Sequence, residues 1–109
     1  MNEDMKKKLE ERIAKWFEQL DEEEKSQAEL LDSYFTFRRN LPEENQGLGK
    51  ASEEHKTTDE IIDDRMPMMC VKKEVVVGWM RAHEYHITTV ADGTPRWAIW
   101  RYMDVTVLT

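Results

Sequence analysis

Histidine and cysteine are the side chains in this sequence best suited to metal binding or nucleophilic catalysis. His83 and His86 form a His-x-x-His pair, and Cys70 is the one cysteine of the chain. A structural zinc site uses four nitrogen or sulfur ligands at short spacings, and neither Cys70 nor Glu84 completes such a set. A cysteine nucleophile also needs a base beside it, and Cys70 has no local motif of that kind. The sequence therefore predicts neither a metal site nor an enzyme.

Sulfur side chains are concentrated in one short segment. Met66, Met68 and Met69 precede Cys70, which is followed by Val71. Methionine fills irregular gaps in cores and also forms adaptable docking surfaces, because its side chain is long and flexible. Apolar side chains of this type are more often buried than exposed. We therefore expect the methionines to plug a turn into the core and Cys70 to be a buried, reduced thiol.

The composition is that of one small domain with a heavily charged surface. The chain has 109 residues, of which 39% are hydrophobic and 36% are charged, and its net charge is -7. Phosphate-binding loops, nucleotide-binding glycine turns and hydrolase motifs do not occur in the sequence, so no cofactor is predicted. No apolar run of about 18 residues could span a bilayer, and the N-terminus is charged where a signal peptide is apolar. We expect a cytoplasmic protein.

The N-terminal segment has the periodicity of an amphipathic helix between residues 2 and 20. Its apolar residues recur three or four positions apart, which places them on one face. They are Met5, Leu9, Ile13, Trp16, Phe17 and Leu20. An isolated helix of this length is marginal in water. We therefore expect Leu9, Ile13, Trp16 and Phe17 to be buried against another helix or another chain.

A second helix is predicted to begin at the acidic run that follows. Asp21 and Glu24 have the spacing of a capping box, in which each side chain accepts a hydrogen bond from the other residue's backbone. The helix should end before Pro42, since the residue before a proline is pushed out of the helical region. The two helices then form an N-terminal helical hairpin, with one long helix as the alternative.

A change of composition divides the chain after this hairpin. Residues 42–56 contain proline, two glycines and many charges without a periodic apolar face, which is typical of a linker. The predicted domains are an N-terminal helical region over 1–41, the linker over 42–56 and a second domain over 57–109.

Two further helices and a hairpin are predicted in the second domain. Thr57 or Thr58 can cap a short helix that ends near Pro67, and residues 71–83 have helical spacing. The β-branched run at 75–77 followed by Gly78 leaves a strand over 73–79 as the alternative.

The clearest short-range signal is an Asp-Gly turn at Asp92 and Gly93. It predicts a β-hairpin in which Tyr85–Val90 runs antiparallel to Arg96–Tyr102. Residues 104–108 could continue as another extended piece.

This order of elements, from Thr57 to Tyr102, resembles the winged helix-turn-helix family. The resemblance implies a DNA-reading helix over 71–83 and a hairpin wing that touches the DNA backbone or minor groove. The phosphate- or base-contacting residues would then be basic side chains on that helix and on the wing. They are Lys72, Lys73, Arg81 and Arg96.

Alternation along the return strand adds a second candidate surface. Trp97 and Ile99 point to one side and Trp100 and Tyr102 to the other, so both faces are apolar. The second face therefore needs a cover, which could be the chain's own helices, a second copy or a ligand. Trp100 and Tyr102 are the predicted partner-docking residues.

The fold expected from these signals is α+β, with an N-terminal helical hairpin and a winged-helix-like unit of two helices and a β-hairpin. The expected function is non-catalytic recognition, as a small DNA-binding or regulatory winged-helix protein. Four cations are few for a DNA-binding surface, and the net charge of -7 opposes phosphate binding. The alternative is therefore a protein–protein adaptor or a homodimeric protein, and the predicted partners are duplex DNA or a protein.

Overall fold

Four helices and five short strands make up the part of the chain that the structure describes. A computed structural model describes residues 3–41, 52–66 and 68–102. Its helices are α1 (Glu3–Glu18), α2 (Glu22–Tyr34), α3 (Thr58–Arg65) and α4 (Lys73–Ala82). Its strands are β1 (Arg38–Arg39), β2 (Ser52–Glu53), β3 (Ile87–Thr89), β4 (Pro95–Trp97) and β5 (Trp100–Arg101). The predicted α+β class, beginning with two helices joined by a short turn, is confirmed. None of the described helices is long and apolar enough to cross a membrane.

Capping boxes begin α2 and α3. The box at Asp21 was predicted, and Thr57 is the one of the two predicted caps that begins α3. The N–H of Glu24 donates to Oδ1 of Asp21 at 2.8 Å, and the N–H of Asp21 donates back to Oε1 of Glu24 at 3.1 Å. Thr57 and Glu60 make the same reciprocal pair at 3.1 and 3.0 Å. Both helices therefore start where local side chains satisfy the first free backbone N–H groups.

Helix α4 lies at the centre of the helical layer, with α1, α2 and α3 all packed against it. Its inward face is buried and includes Val75, Val76, Trp79 and Met80. This burial favours the helix over the strand alternative, since the apolar residues recur at helical spacing and tertiary packing outweighs the weak helix propensity of valine. The same core cluster contains Leu31 of α2 and Ile61 of α3, so it joins residues from both sides of the predicted linker.

Helix α1 is less buried than predicted. None of its residues is fully buried. Leu9, Ile13, Trp16 and Phe17 are half-buried, and Trp16 and Phe17 pack against the core. The physical reason is that α1 packs mainly on one neighbour, α4, so one side of its apolar stripe stays in contact with water. Two contacts fix its position on α4. The indole of Trp16 lies over Gly78, and the guanidinium of Arg12 donates to the carbonyl of Ala82 through Nη2 at 3.3 Å.

Helix α2 ends earlier than the proline signal predicts. It stops at Tyr34, and Arg38–Arg39 forms strand β1 instead of a last helical turn. These two residues pair antiparallel with Arg101 and Trp100 of β5. The pairing partner is about sixty residues away in sequence, so no local pattern could reveal it.

The hairpin is confirmed around its turn, but its return strand was predicted too long. β3 pairs antiparallel with β4, with Ile87 opposite Trp97, and Gly93 adopts φ +85° in the turn. Beyond Ala98 the chain leaves the hairpin. The N–H of Ile99 donates to Nδ1 of His55 at 3.0 Å, and its carbonyl accepts from the N–H of Glu54 at 2.9 Å.

These bonds direct β5 into a separate three-stranded sheet, in which it lies between β1 and β2. The described end of the predicted linker is part of this sheet, since Ser52 and Glu53 pair with β5 and Lys56 bridges to Trp97. The rest of that linker, residues 42–51, and the extended piece predicted over 104–108 lie outside the described residues. The order α3, α4, β3, β4 is compatible with a winged-helix arrangement.

Replacing Gly78 tests how tightly α1 is held. A Cβ at residue 78 would lie 2.9 Å from Cε2 of Trp16 and closer still to its Nε1. We expect Gly78→Ala to lower the free energy of unfolding by about 1–3 kcal/mol through overpacking. In a Trp16→Ala background the same change should instead stabilise by up to about 1 kcal/mol, because alanine is the better helix former. Urea unfolding of the four proteins measures this, and equal effects in both backgrounds would contradict the contact.

Candidate recognition surfaces

Three of the four predicted DNA-contacting cations are paired with carboxylates. Nζ of Lys72 lies 3.8 Å from Glu24, and Nζ of Lys73 lies 3.9 Å from Asp59. Arg96 forms an ion pair with Glu60 on α3. The Lys72 and Lys73 pairs are weak because both lysines are well exposed, with 45% and 65% of their side chains accessible. The neighbouring carboxylates nevertheless reduce the electrostatic attraction of these lysines for a phosphate.

The fourth cation, Arg81, is exposed on α4 and has no ion pair among residues 3–41, 52–66 and 68–102. It lines a shallow groove of about 300 Å³ together with Arg12, Trp16, Gly78 and Ala82. Helix α1 forms one wall of this groove. It therefore covers part of the face of α4 that would enter the major groove of DNA. Arg81 thus lies beside α1, whereas the other three predicted residues each lie beside a carboxylate.

The tip of the hairpin is acidic. The carboxylate of Asp92 accepts a hydrogen bond from the N–H of Thr94 at 2.9 Å. Hydrogen bonding to Thr94 lowers the pKa of Asp92, so this side chain is ionised at neutral pH. A negative charge at the tip disfavours contact between this loop and a phosphate backbone.

The two predicted docking residues differ in their accessibility. Trp100 is half-buried, with its ring edge-on to His55 at a centroid distance of 5.3 Å. Tyr102 is only 1% exposed, and its N–H donates to the carbonyl of Phe37 at 2.7 Å. The chain itself therefore covers Tyr102, which offers no surface to a partner in this conformation.

The sulfur-containing segment is exposed, which corrects two predictions. Met66 and Met68 are 57% and 71% exposed rather than plugged into the core, and Cys70 is exposed rather than buried. The reason is that Ile61 and Val71, which flank this segment, already fill the core at 0% and 2% exposure. We call Met66, Met68, Met69 and Cys70 the methionine surface.

The histidines hold separate positions. Nδ1 of His55 accepts from the N–H of Ile99, whereas the ring of His83 stacks on Trp79 at 3.7 Å and His86 is exposed. Burial lowers the pKa of His83. No group of three histidine, cysteine or acidic residues within the described ranges could hold a metal ion.

A charge cluster that sequence reading missed joins β1, β2 and β5. Arg38 and Arg101 lie directly opposite each other across these strands, a pairing of like charges. The carboxylate of Glu54 lies between them, 2.5 Å from Nε of Arg38 and 3.3 Å from Nη1 of Arg101. It also lies 4.0 Å from Nζ of Lys56. One carboxylate thus lies within ion-pair distance of three cations. The sequence carried no signal for its pairs with Arg38 and Arg101, because these partners are 16 and 47 residues away.

A second cluster links this sheet to the helices. The hydroxyl of Tyr34 donates to Asp64 at 2.5 Å, and Lys56 forms an ion pair with the same carboxylate. Burial alone raises the pKa of Asp64, but the hydrogen bonds from Lys56 and Tyr34 outweigh it and leave the pKa below its ordinary value. Asp64 is therefore charged in the folded protein at neutral pH, held between α2 and the residues after β2.

Comparison with known proteins gives no relative: no family model, no curated protein and no solved structure matches this chain significantly. The function is therefore inferred from the side chains described above.

Removing the charge of Glu54 should destabilise the fold. Glu54→Gln leaves Arg38 and Arg101 opposite each other without the carboxylate between them, and the side chain of Glu54 is only 19% exposed. We expect a loss of roughly 2 kcal/mol in the free energy of unfolding, measured by urea denaturation. The matched control is Glu53→Gln, whose side chain is 68% exposed and which should cost less than about 0.5 kcal/mol. Equal losses in the free energy of unfolding for the two variants would show that the ion pairs of Glu54 do not stabilise the fold.

The charge on Asp64 gives a pH-dependent stability. Because the folded pKa is lowered, the stabilisation is present above the unfolded value of about 3.9 and is lost as pH falls through the folded pKa. Asp64→Asn should therefore be less stable than the wild type at neutral pH, and the gap should shrink below about pH 4. Thermal unfolding of both proteins at several pH values measures it. A gap that stays constant down to pH 2 would rule out an ionic contribution.

Proposed function

We propose that this chain is a non-catalytic recognition module that docks another protein through the methionine surface. The observation that carries the proposal is the exposure of Met66 and Met68, at 57% and 71%. Large apolar side chains that stay in water beside a well-filled core cost free energy, which is recovered when a partner covers them.

The described residues of the methionine surface combine backbone hydrogen bonds with flexible side chains. The N–H groups of Met68 and Met69 both donate to the carbonyl of Arg65, at 2.9 and 3.0 Å, and form a turn after α3. Val71, which follows at 2% exposure, anchors the other end in the core. A partner therefore meets a preformed turn, while the methionine side chains adapt to its shape.

Charge defines the chemistry of the partner. The chain carries a net charge of -7, so association is fastest with a basic partner. An apolar surface on an acidic protein fits an amphipathic helix that has basic residues on either side of its apolar face. We therefore assign a basic amphipathic helix as the docked segment.

Duplex DNA is the second candidate partner, and the element order supports it. Two helices followed by a β-hairpin are the parts of a winged helix, in which α4 would be the reading helix. Against it stand the carboxylates beside Lys72, Lys73 and Arg96 and the acidic hairpin tip at Asp92. Each phosphate contact needs a protein cation that neutralises the phosphate and so displaces a counterion from the DNA.

A synthetic helix tests the docking proposal directly. The probe is a 14-residue peptide of leucine and lysine at amphipathic helical spacing, and the control peptide has glutamate in place of lysine. We expect the basic peptide to bind with a dissociation constant on the order of 10 μM in calorimetry and the acidic one to bind at least tenfold more weakly. The double variant Met66→Gln, Met68→Gln should weaken binding of the basic peptide at least tenfold.

The matched control is Ile87→Thr, since Ile87 is an exposed apolar residue of similar accessibility, at 54%, on strand β3. It should leave peptide binding unchanged. Unaltered binding by the methionine double variant, or no binding by the wild type, would overturn the proposal. Retention of the wild type on mixed duplex DNA at about 50 mM salt, lost on the double reversal Lys73→Glu, Arg81→Glu, would favour the DNA candidate.

A further inference from the structure

A cleft lies on the side of the core formed by the ends of α2 and α4. Its volume is about 310 Å³, enough for about ten water-sized groups. Its lining comes from α2 and the turn that follows, from β1, and from the C-terminal end of α4. The lining residues that matter are Asp32, Arg39, Asn40, Trp79, His83 and Tyr85.

One wall of the cleft is a fixed aromatic stack. The rings of Phe35 and His83 both stack on Trp79, at centroid distances of 4.5 and 3.7 Å. The indole N–H of Trp79 donates to Oδ1 of Asp32 at 2.8 Å, and Tyr85 lies beside the stack. These contacts hold the wall in place before any ligand arrives, which reduces the entropic cost of binding.

Arg39 places a positive charge in this cleft. Its Nη1 donates to the carbonyls of Thr36 and Arg38, at 2.9 and 2.8 Å, and these two bonds fix the guanidinium plane. Within the described ranges, no carboxylate lies in ion-pair distance of Arg39, whereas neighbouring Arg38 is paired with Glu54. The Nε and Nη2 edge of Arg39 therefore keeps its N–H groups for another acceptor, and this edge matches the two oxygens of a carboxylate.

The other polar groups of the cleft are neutral or are already bonded on one side. Burial lowers the pKa of His83 and raises the pKa of Tyr85, so both are uncharged at pH 7. The amide of Asn40 donates through Nδ2 to the carbonyl of Glu84 at 2.9 Å, which leaves its oxygen as an acceptor. Asp32 is the acidic residue of the lining, with one oxygen bonded to Trp79.

We propose that this cleft binds a small organic acid, with Arg39 binding the carboxylate and an aromatic or planar body lying against the half-buried ring of His83, which covers Trp79. The observations that carry the proposal are the preformed stack and the open edge of a guanidinium whose plane is already fixed. Asp32 distinguishes between two classes of ligand that carry the carboxylate bound by Arg39. A simple acid uses Arg39 alone, whereas an α-amino acid also offers an ammonium group to the free oxygen of Asp32.

Three compounds of matched shape test the site on the full chain. They are 3-phenylpropionate, phenethylamine, which lacks the carboxylate, and L-phenylalanine, which carries both groups. Calorimetry measures affinity, and ¹H–¹⁵N spectra report the indole N–H of Trp79 and the Nε–H of Arg39. We expect 3-phenylpropionate to bind with a dissociation constant on the order of 1 mM, to shift both signals, and to bind at least tenfold more tightly than phenethylamine.

Substitution of Arg39 should remove this preference. Arg39→Gln is expected to weaken 3-phenylpropionate binding at least tenfold, and Arg39→Lys, which keeps the charge without the fork, by about threefold or more. The control is Arg101→Gln, which changes an exposed arginine on the adjacent strand and should leave affinity within twofold of the wild type. If Arg39→Gln does not fold, Arg39→Lys and the selectivity of the wild type between the acid and the amine still decide the question.

The third compound identifies the source of the carboxylate. Tighter binding of L-phenylalanine than of 3-phenylpropionate, with the advantage lost in Asp32→Asn, assigns an amino acid. Equal or weaker binding assigns a simple acid. The site does not exist if 3-phenylpropionate shifts neither signal at about 20 mM, if the amine binds as well as the acid, or if Arg39→Gln binds like the wild type.

Discussion

The indole N–H of Trp79 on α4 donates a hydrogen bond to Asp32 on α2, and this bond joins the two helices beside the buried core. Trp79 is 3% exposed and stacks on both Phe35 and His83, so its ring fixes the distance between the two helices. On another side of α4, Gly78 leaves room for the indole of Trp16. Trp79 and Trp16 thus set the spacing of α1, α2 and α4. The buried position of α4 in turn determines where the elements that follow it lie.

The central position of α4 limits what its surface can do. A reading helix needs one long free face, but α1 takes one edge of α4, and acidic side chains accompany most of its cations. Elsewhere, arginine and lysine side chains form ion pairs within the chain, as Arg38, Lys56 and Arg101 do with Glu54. Among the described residues, we propose the apolar turn after α3 and the guanidinium in the aromatic cleft as the recognition features, which suit a helix and a small acid better than a phosphate backbone.

Local signals in the sequence predicted most of the elements, and remote contacts account for most of the errors. The starts of α2 and α3 were predictable because Asp21 and Thr57 each cap a helix through a residue three positions away. The Asp-Gly turn fixed the hairpin in the same way. The end of α2 and the departure of β5 from the hairpin were not predictable, since His55 and Arg38 act on residues more than forty positions away. Met68 is exposed because Val71 occupies the core in its place, which the sequence does not reveal. Arg39 and its cleft also have no sequence signature.

The opposition of Arg38 and Arg101 across β1 and β5 has a consequence for the order of folding. The two arginine side chains repel each other until the carboxylate of Glu54 lies between them. Glu54 is 47 residues from Arg101 along the chain. Closing a loop of that length costs more entropy than forming the capped helices or the short hairpin, which need only neighbouring residues. We therefore expect the helices and the hairpin to assemble first and the three-stranded sheet to close last, as one cooperative step in which the strands and their shared carboxylate come together.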